Sequence, residues 1–305
     1  MQAALLPDRG VVKVAGAEAG KFLNGLVTSE VAGVTPAQPR FAALLTPQGK
    51  IIADFIVTRA GTDETADFLL DCPRALAQAL AERLGFYKLR AKVTVEDLSD
   101  TLAVLAVWGA DAGGGHAACY PDPRLPELGL RCIVPTREAA DLAAKGLSAK
   151  ELAAKLGATL VDAAEYEAHR IALGVPRGGL DYIYGDAFPH ETDMDQLRGV
   201  DFDKGCYVGQ EVVSRTEHRG TARTRVVPVV YDGPAPEAGT PVLAGDKSVG
   251  MLGSTARGRG LASLRLDRVE DALNAGVTLT AGGIPLRVLK PDWARFAFPG
   301  AKAVG

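Results

Sequence analysis

The stretch DKGCYVGQEVVSRTEHRG, residues 203–220, sets the most reactive type of side chain between two glycines. Gly205 and Gly209 free the backbone to turn around Cys206. QEVVSRTEH, which follows, has the composition of a helix. A cysteine just ahead of a helix gains from the positive end of the dipole, and neighbouring Lys204 also favours the thiolate. On the residues alone two readings of Cys206 stay open. It is a nucleophile or metal ligand, or it is a small hydrophobe of the core.

Downstream, Arg215, Arg219, Arg223 and Arg225 stand against one carboxylate, Glu217, with His218 among them. Such a cluster suits phosphate, a polyglutamate tail or an RNA backbone. It equally suits a solvated basic face with salt bridges to acidic groups elsewhere. For nucleic acid the second reading is the stronger, because few aromatic residues stand here to stack on bases. Upstream, PHETDMDQL (189–197) crowds Glu191, Asp193 and Asp195 into a loop, where they suit a cation, a ligand or a helix cap at Asp193 or Asp195. His116, His169, His190 and His218 form no metal-like pair in sequence, and no metal is expected. AGGGH (112–116) lacks the strand, lysine and helix of a phosphate loop and reads as flexible loop.

The 305 residues are long for one core, so two or three domains are expected. A hydrophobic share of 47% with 23% charged residues reads as soluble and globular, and a net charge of −3 gives no whole-molecule field toward nucleic acid or acidic membrane. No apolar run is long enough to span a bilayer, and MQAALLPDRGVVKVAG has neither the basic nor the long apolar region of a secretory signal. Cys72, Cys119, Cys132 and Cys206 are scattered without a C-x-x-C, which fits reduced thiols in a cytoplasm.

GVVKVAG (10–16) reads as a strand and residues 17–33 as a helix. RFAALLTPQGKIIADFIVTRAG (40–61) reads as a hairpin turning at Pro-Gln-Gly, with Gly49 at positive φ. ADFLLDC is a further strand, Pro73 opens a helix through RALAQALAERLG, and AKVTVEDLS and TLAVLAVWG are strands. Residues 112–129 read as loop, and two helical stretches follow LRCIVPT. Residues 174–205 are mostly irregular, as functional loops often are. From Arg223 onward, short β-like runs between turns indicate a small antiparallel barrel or sandwich.

KGCYVGQEVVSR (204–215) resembles the K-G-C-Y-x-G-Q-E signature of the YgfZ group, folate-binding proteins of iron–sulfur assembly and repair. FLNGLVTSEV (22–31), LLTPQGKIIADFIV (44–57), EYEAHRIALGVP (165–176), FPHETDMD (188–195) and GTARTR (220–225) look like further blocks of that group, in order. The group is similar in fold to the glycine cleavage T-protein, an aminomethyltransferase. That resemblance implies an α+β architecture of two ferredoxin-like domains and a C-terminal antiparallel β-barrel. Residues 1–48 with 137–222 would form a discontinuous first domain, 49–136 an inserted second, and 223–305 the barrel.

T-proteins carry a catalytic aspartate in a block like G-G-x-I-D-D-L; GKIIADF here puts Ala53 at that position and keeps Asp54. A methyl group neither accepts a proton nor stabilises a cation. Their pterin-holding glutamate from R-x-E-A-G is matched by Ala172. Both losses argue against aminomethyl transfer. The resemblance thus implies a tetrahydrofolate-binding accessory factor for iron–sulfur, notably [4Fe–4S], proteins, including tRNA-modifying enzymes. It would act with assembly partners through Cys206 as reactive thiol or transient cluster ligand. Lys204, Tyr207, Gln210, Glu211 and Arg215 would shape a folate pocket. A one-carbon transferase and an RNA-associated module are the alternatives. One cysteine cannot hold a [4Fe–4S] cluster alone, so no stable intrinsic cluster is expected.

Overall fold

The computed structural model describes residues 1–60, 67–109, 116, 118–136, 148–220 and 222–299. The chain separates into two compact units, Met1–Tyr166 with Leu197–Gln210, and Glu167–Gln196 with Glu211–Gly305. The fold is α+β, as expected.

The first unit holds two five-stranded sheets. One runs Arg40–Leu45 (β3), Ile51–Arg59 (β4), Phe68–Pro73 (β5), Arg9–Ala15 (β2) and Thr94–Asp97 (β6), all antiparallel. The β3–β4 hairpin closes at the expected turn: Thr46 N donates to Lys50 O at 2.8 Å, and Gly49 takes φ 85°. β4 is almost continuously buried, so both its faces are covered. Helix Arg74–Tyr87 (α2) turns Ala77, Leu80 and Leu84 into a core with Leu23, Phe55 and Leu70. Each large apolar side chain so buried contributes about 1.5–3 kcal/mol.

The second sheet runs Thr159–Leu160 (β10), Gln2–Leu6 (β1), Leu102–Trp108 (β7), Leu130–Pro135 (β9) and Cys119–Pro121 (β8). Buried charges join the two sheets. Arg131 on β9 donates to Asp71 on β5 at 2.9 Å and to Asp122 at 3.0 Å. Arg9 on β2 also reaches Asp71, Arg124 grips Asp122, and the Tyr120 hydroxyl donates to Asp71 at 3.0 Å. Burial opposes the charged form of Asp71, yet Arg9 and Arg131 outweigh it and hold the carboxyl below its usual range. Burial likewise opposes charge on Asp122, and Arg124 and Arg131 prevail there.

Several expectations are corrected here. The helix expected over 17–33 is limited to Ala19–Asn24 (α1). Past it, Thr28 N donates to Ala43 O and Val27 bridges Leu44, so pairing with β3 takes donors that a longer helix would use. The expected boundary at 48/49 would cut the β3–β4 hairpin, which lies in one sheet. The loop expected over 112–129 contains β8 and a 3-10 turn, Pro126–Leu128; residues 112–115 and 117 of it lie outside the described residues. Cys119 and Cys132 are not reduced thiols: they face each other across β8 and β9 and form a disulfide. Of the helical stretch expected after β9, residues 137–147 lie outside the described residues, and Ala149–Lys155 (α3) follows a Ser148–Glu151 capping box.

The expected β tail is a closed antiparallel barrel: Thr224–Val230 (β11), Arg259–Arg265 (β14), Lys247–Ala256 (β13), Pro241–Ala244 (β12), Leu279–Ala281 (β15) and Ile284–Val288 (β16). Val227, Val229, Leu252, Leu264 and Leu286 fill it, and Leu266 and Val269 of helix Leu266–Asn274 (α6) join them. Helix Ala163–Ala172 (α4) carries Arg170, which is 2% exposed. Its guanidinium donates to Asp181 Oδ2 and to Ser254 Oγ, both at 2.8 Å, and so ties the irregular stretch after α4 to the barrel. Among the described residues no helix is long and apolar enough to cross a membrane.

Candidate functional site

The loop before helix Gln210–Arg219 (α5) is pinned residue by residue. Asp201 N donates to Thr28 O at 2.9 Å, and Asp201 Oδ1 accepts from the backbone of Asp203 and Lys204 at 3.0 and 3.2 Å. Lys204 then turns inward. Its Nζ donates to the carbonyls of Asn24, Val27 and Ser29 at 2.8, 2.6 and 3.0 Å. Burial lowers its pKa to about 8, while Glu30 and Asp201 pull the other way. Three acceptors match the three ammonium hydrogens. Lys204 is therefore an anchor, and its charge is committed to those carbonyls rather than to a folate or to the thiol.

Tyr207 is buried, its ring centroid 5.2 Å from Lys204 Nζ. Burial raises its pKa to about 12, so the phenol stays neutral. Gly209 takes φ 83°, and a Cβ there would stand 2.6 Å from Thr46 O and 3.1 Å from Gly49 Cα. The loop thus lies against the β3–β4 turn. Between these fixed points Gly205 and Cys206 are exposed. The core reading of Cys206 is excluded. Cys72 is buried, and burial pushes its thiol up to about 12, leaving Cys206 as the one exposed thiol of the four cysteines. α5 begins four residues beyond Cys206, not directly after it.

The structure gathers Lys204, Cys206, Tyr207 and Gln210 in the first unit; Glu211 and Arg215 belong to the second. Glu211 and Arg215 form an exposed ion pair one helical turn apart. The arginine cluster also divides. Arg225 is buried and meets Asp195 through two hydrogen bonds, with Asp193 Oδ1 at 3.3 Å and the Phe296 ring centroid at 4.6 Å. Asp195 is thus an ion-pair partner, and Asp193, at φ 61°, closes the 3-10 turn Pro189–Thr192; neither caps the start of a helix. Ala53 is buried in β4 opposite Leu44, and Ala172 ends α4 with its surface exposed.

Sequence spacing missed one convergence. His190, Asp195 and Glu217 bring ligand-type atoms within 4.8 Å of one another. His190 Nε2 is 2.9 Å from Glu217 Oε2, and Arg225 already supplies positive charge to Asp195. Only the fold brings residues 27 positions apart together here.

The GCVT N-terminal domain model matches residues 8–117, and the model of the CAF17 C-terminal beta-barrel domain matches 223–296. In overall structure the chain is similar to the glycine cleavage system aminomethyltransferase T of Bartonella henselae, with a TM-score of 0.73 over 97% of this chain and 87% of that one. At 19% identity this likeness concerns the fold alone. The chain is 35% identical to the Mycosarcoma maydis protein named iron–sulfur cluster assembly factor IBA57 homolog, mitochondrial, over 75% of its own length and 57% of that protein's. It spans 54% of the Neurospora crassa homologue, so it covers little more than half of these fungal relatives. The human iron–sulfur cluster assembly factor IBA57, mitochondrial, is 31% identical over 94% of this chain and 84% of the human one. These relatives are named as mitochondrial proteins, which corrects the cytoplasmic expectation. By the human match and the two domain models together, the chain belongs to the CAF17/IBA57 family.

Proposed function

We propose that this chain is an accessory factor in iron–sulfur protein assembly that presents Cys206 as its working group. One observation carries the reading. The blocks 22–31, 44–57 and 204–215 converge, through Lys204 on the 24–29 carbonyls and Gly209 on the 46–49 turn, to fix a loop whose exposed residue is a thiol. The names of the matched relatives support the same role.

The thiolate is the metal-binding and nucleophilic form of cysteine. A [4Fe–4S] cluster, as cargo, takes ligands beyond one thiolate. Cys206 would therefore share it with a partner protein or with glutathione. YgfZ-like action on [4Fe–4S] clients, tRNA-modifying enzymes among them, is the finer form of the proposal. Tetrahydrofolate or a derivative is proposed as a ligand on the strength of the GcvT-like fold. The position that matches the pterin-holding glutamate of T-proteins carries a methyl group here, Ala172, so the T-protein mode does not fit and no step runs through folate. The missing acid at Ala53 also sets aside aminomethyl transfer, and the burial of Arg225 with the pairing of Arg215 weakens the RNA reading.

The test in cells is restoration of a [4Fe–4S] enzyme's activity in a strain lacking this gene. Wild type should restore it and Cys206→Ser should not. Equal restoration by both would remove Cys206 from the account. Calorimetry with tetrahydrofolate under anaerobic reducing conditions tests the ligand separately: no heat of binding would remove folate and leave the thiol proposal standing.

A further inference from the structure

Phe86, at the end of α2, is 81% exposed, and Leu89, just beyond it, is 88% exposed. Leu89 also takes φ 42°, a left-handed backbone that L-residues other than glycine and asparagine seldom adopt. The chain thus holds an apolar side chain in a strained conformation that gains no burial. Around the pair stand Arg83, Lys88, Arg90 and Lys92. No ion pair ties any of these four to a carboxylate among the described residues. Two acids beside this turn are occupied: Glu82 accepts from Gln78 at 3.0 Å, and Glu18 accepts from the Lys92 backbone at 2.6 Å. In a chain of net charge −3, this turn is a local basic tip with two apolar side chains at its end.

We propose that the α2 tip, residues 83–92, is a peripheral docking site for an anionic lipid surface. Two side chains at the end of a turn offer far less than the roughly 800 Å² per partner of a stable protein–protein interface. They do suit shallow insertion at the headgroup level, with the cations meeting lipid phosphates. A single such patch gives weak, reversible and salt-sensitive attachment.

The test is co-sedimentation of the full chain with vesicles of phosphatidylcholine alone and of phosphatidylcholine with about 30% phosphatidylglycerol, at low and near-physiological salt. Binding to the anionic vesicles alone, falling as salt rises, is the expected result. Arg83→Glu or Arg90→Glu should each weaken it about five-fold or more, and Phe86→Ser with Leu89→Ser should reduce it to background. Leu89→Gly separates docking from folding: it should raise the melting temperature by relieving the backbone while lowering lipid binding. Absence of binding to anionic vesicles at low salt would overturn the proposal. So would equal binding to both vesicle types, or sedimentation without vesicles that depends on Phe86, which would instead indicate self-association.

Discussion

The ammonium of Lys204 lies 2.6 Å from the carbonyl oxygen of Val27, a residue 177 positions earlier in the chain. With Asn24 and Ser29 completing the triad of acceptors, one side chain joins the Cys206 loop to the end of α1. Replacing Lys204 by Met keeps the aliphatic stem and leaves three carbonyls without their donor. The expected loss is about 3 kcal/mol, measurable by denaturant unfolding. Lys204→Arg should recover only part of it, since a planar fork does not reproduce three converging bonds. A Met variant as stable as wild type would contradict the anchoring role.

Gly205 and Gly209 flank the same cysteine and should respond oppositely to alanine. A Cβ at Gly205 meets nothing within 4 Å, so Gly205→Ala should change stability by less than about 0.5 kcal/mol. At Gly209 a Cβ meets Thr46 O at 2.6 Å in a left-handed conformation, and the expected loss is about 2 kcal/mol or more. Thermal melts of the two variants side by side decide this.

The buried network in the first unit sets an acid limit. The folded pKa values of Asp71 and Asp122 are depressed, and unfolded aspartate titrates near about 3.9. The stability these carboxylates contribute is whole above that value and is lost as pH falls from there toward their folded values. Unfolding monitored against pH should therefore steepen below about pH 4. Asp122→Asn should flatten that acid limb while costing about 3–5 kcal/mol at neutral pH, because Arg124 and Arg131 lose a buried partner.

Two arginines of one sequence cluster should behave differently. Arg225 is 5% exposed and bonded to Asp195; Arg225→Met should cost about 3–5 kcal/mol by stranding that carboxylate. Arg215, exposed on α5 beside Glu211, should tolerate alanine with a change below about 1 kcal/mol. Equal effects would mean the basic cluster acts as one surface.

Much of this was legible in the sequence where the signal is local. The Thr46–Gly49 turn announced the hairpin, the spaced β-like runs after Arg223 announced the barrel, and QEVVSRTEH announced α5. What escaped depends on partners far along the chain. Cys119 and Cys132 become neighbours only once β8 and β9 pair, and β8 is a three-residue strand in a loop-like composition. The helix expected through 33 yields to the Val27–Leu44 bridge. Lys204 read as a modulator of its neighbour because the carbonyls it serves are invisible to local reading. His190, Asp195 and Glu217 likewise meet only in the fold.

The central claim is that Cys206 is a displayed working thiol rather than a structural one. The direct measurement is anaerobic transfer of a [4Fe–4S] cluster to an apo client enzyme in the presence of glutathione, with wild type and Cys206→Ser compared at equal folded fraction. Because the side chain is exposed, the two proteins should melt within about 1 °C of each other, a stability difference below about 0.5 kcal/mol. The account predicts that the serine variant loses at least about ten-fold in transfer rate, which is the signature of a lost thiolate ligand or nucleophile. Equal rates at equal stability would contradict it.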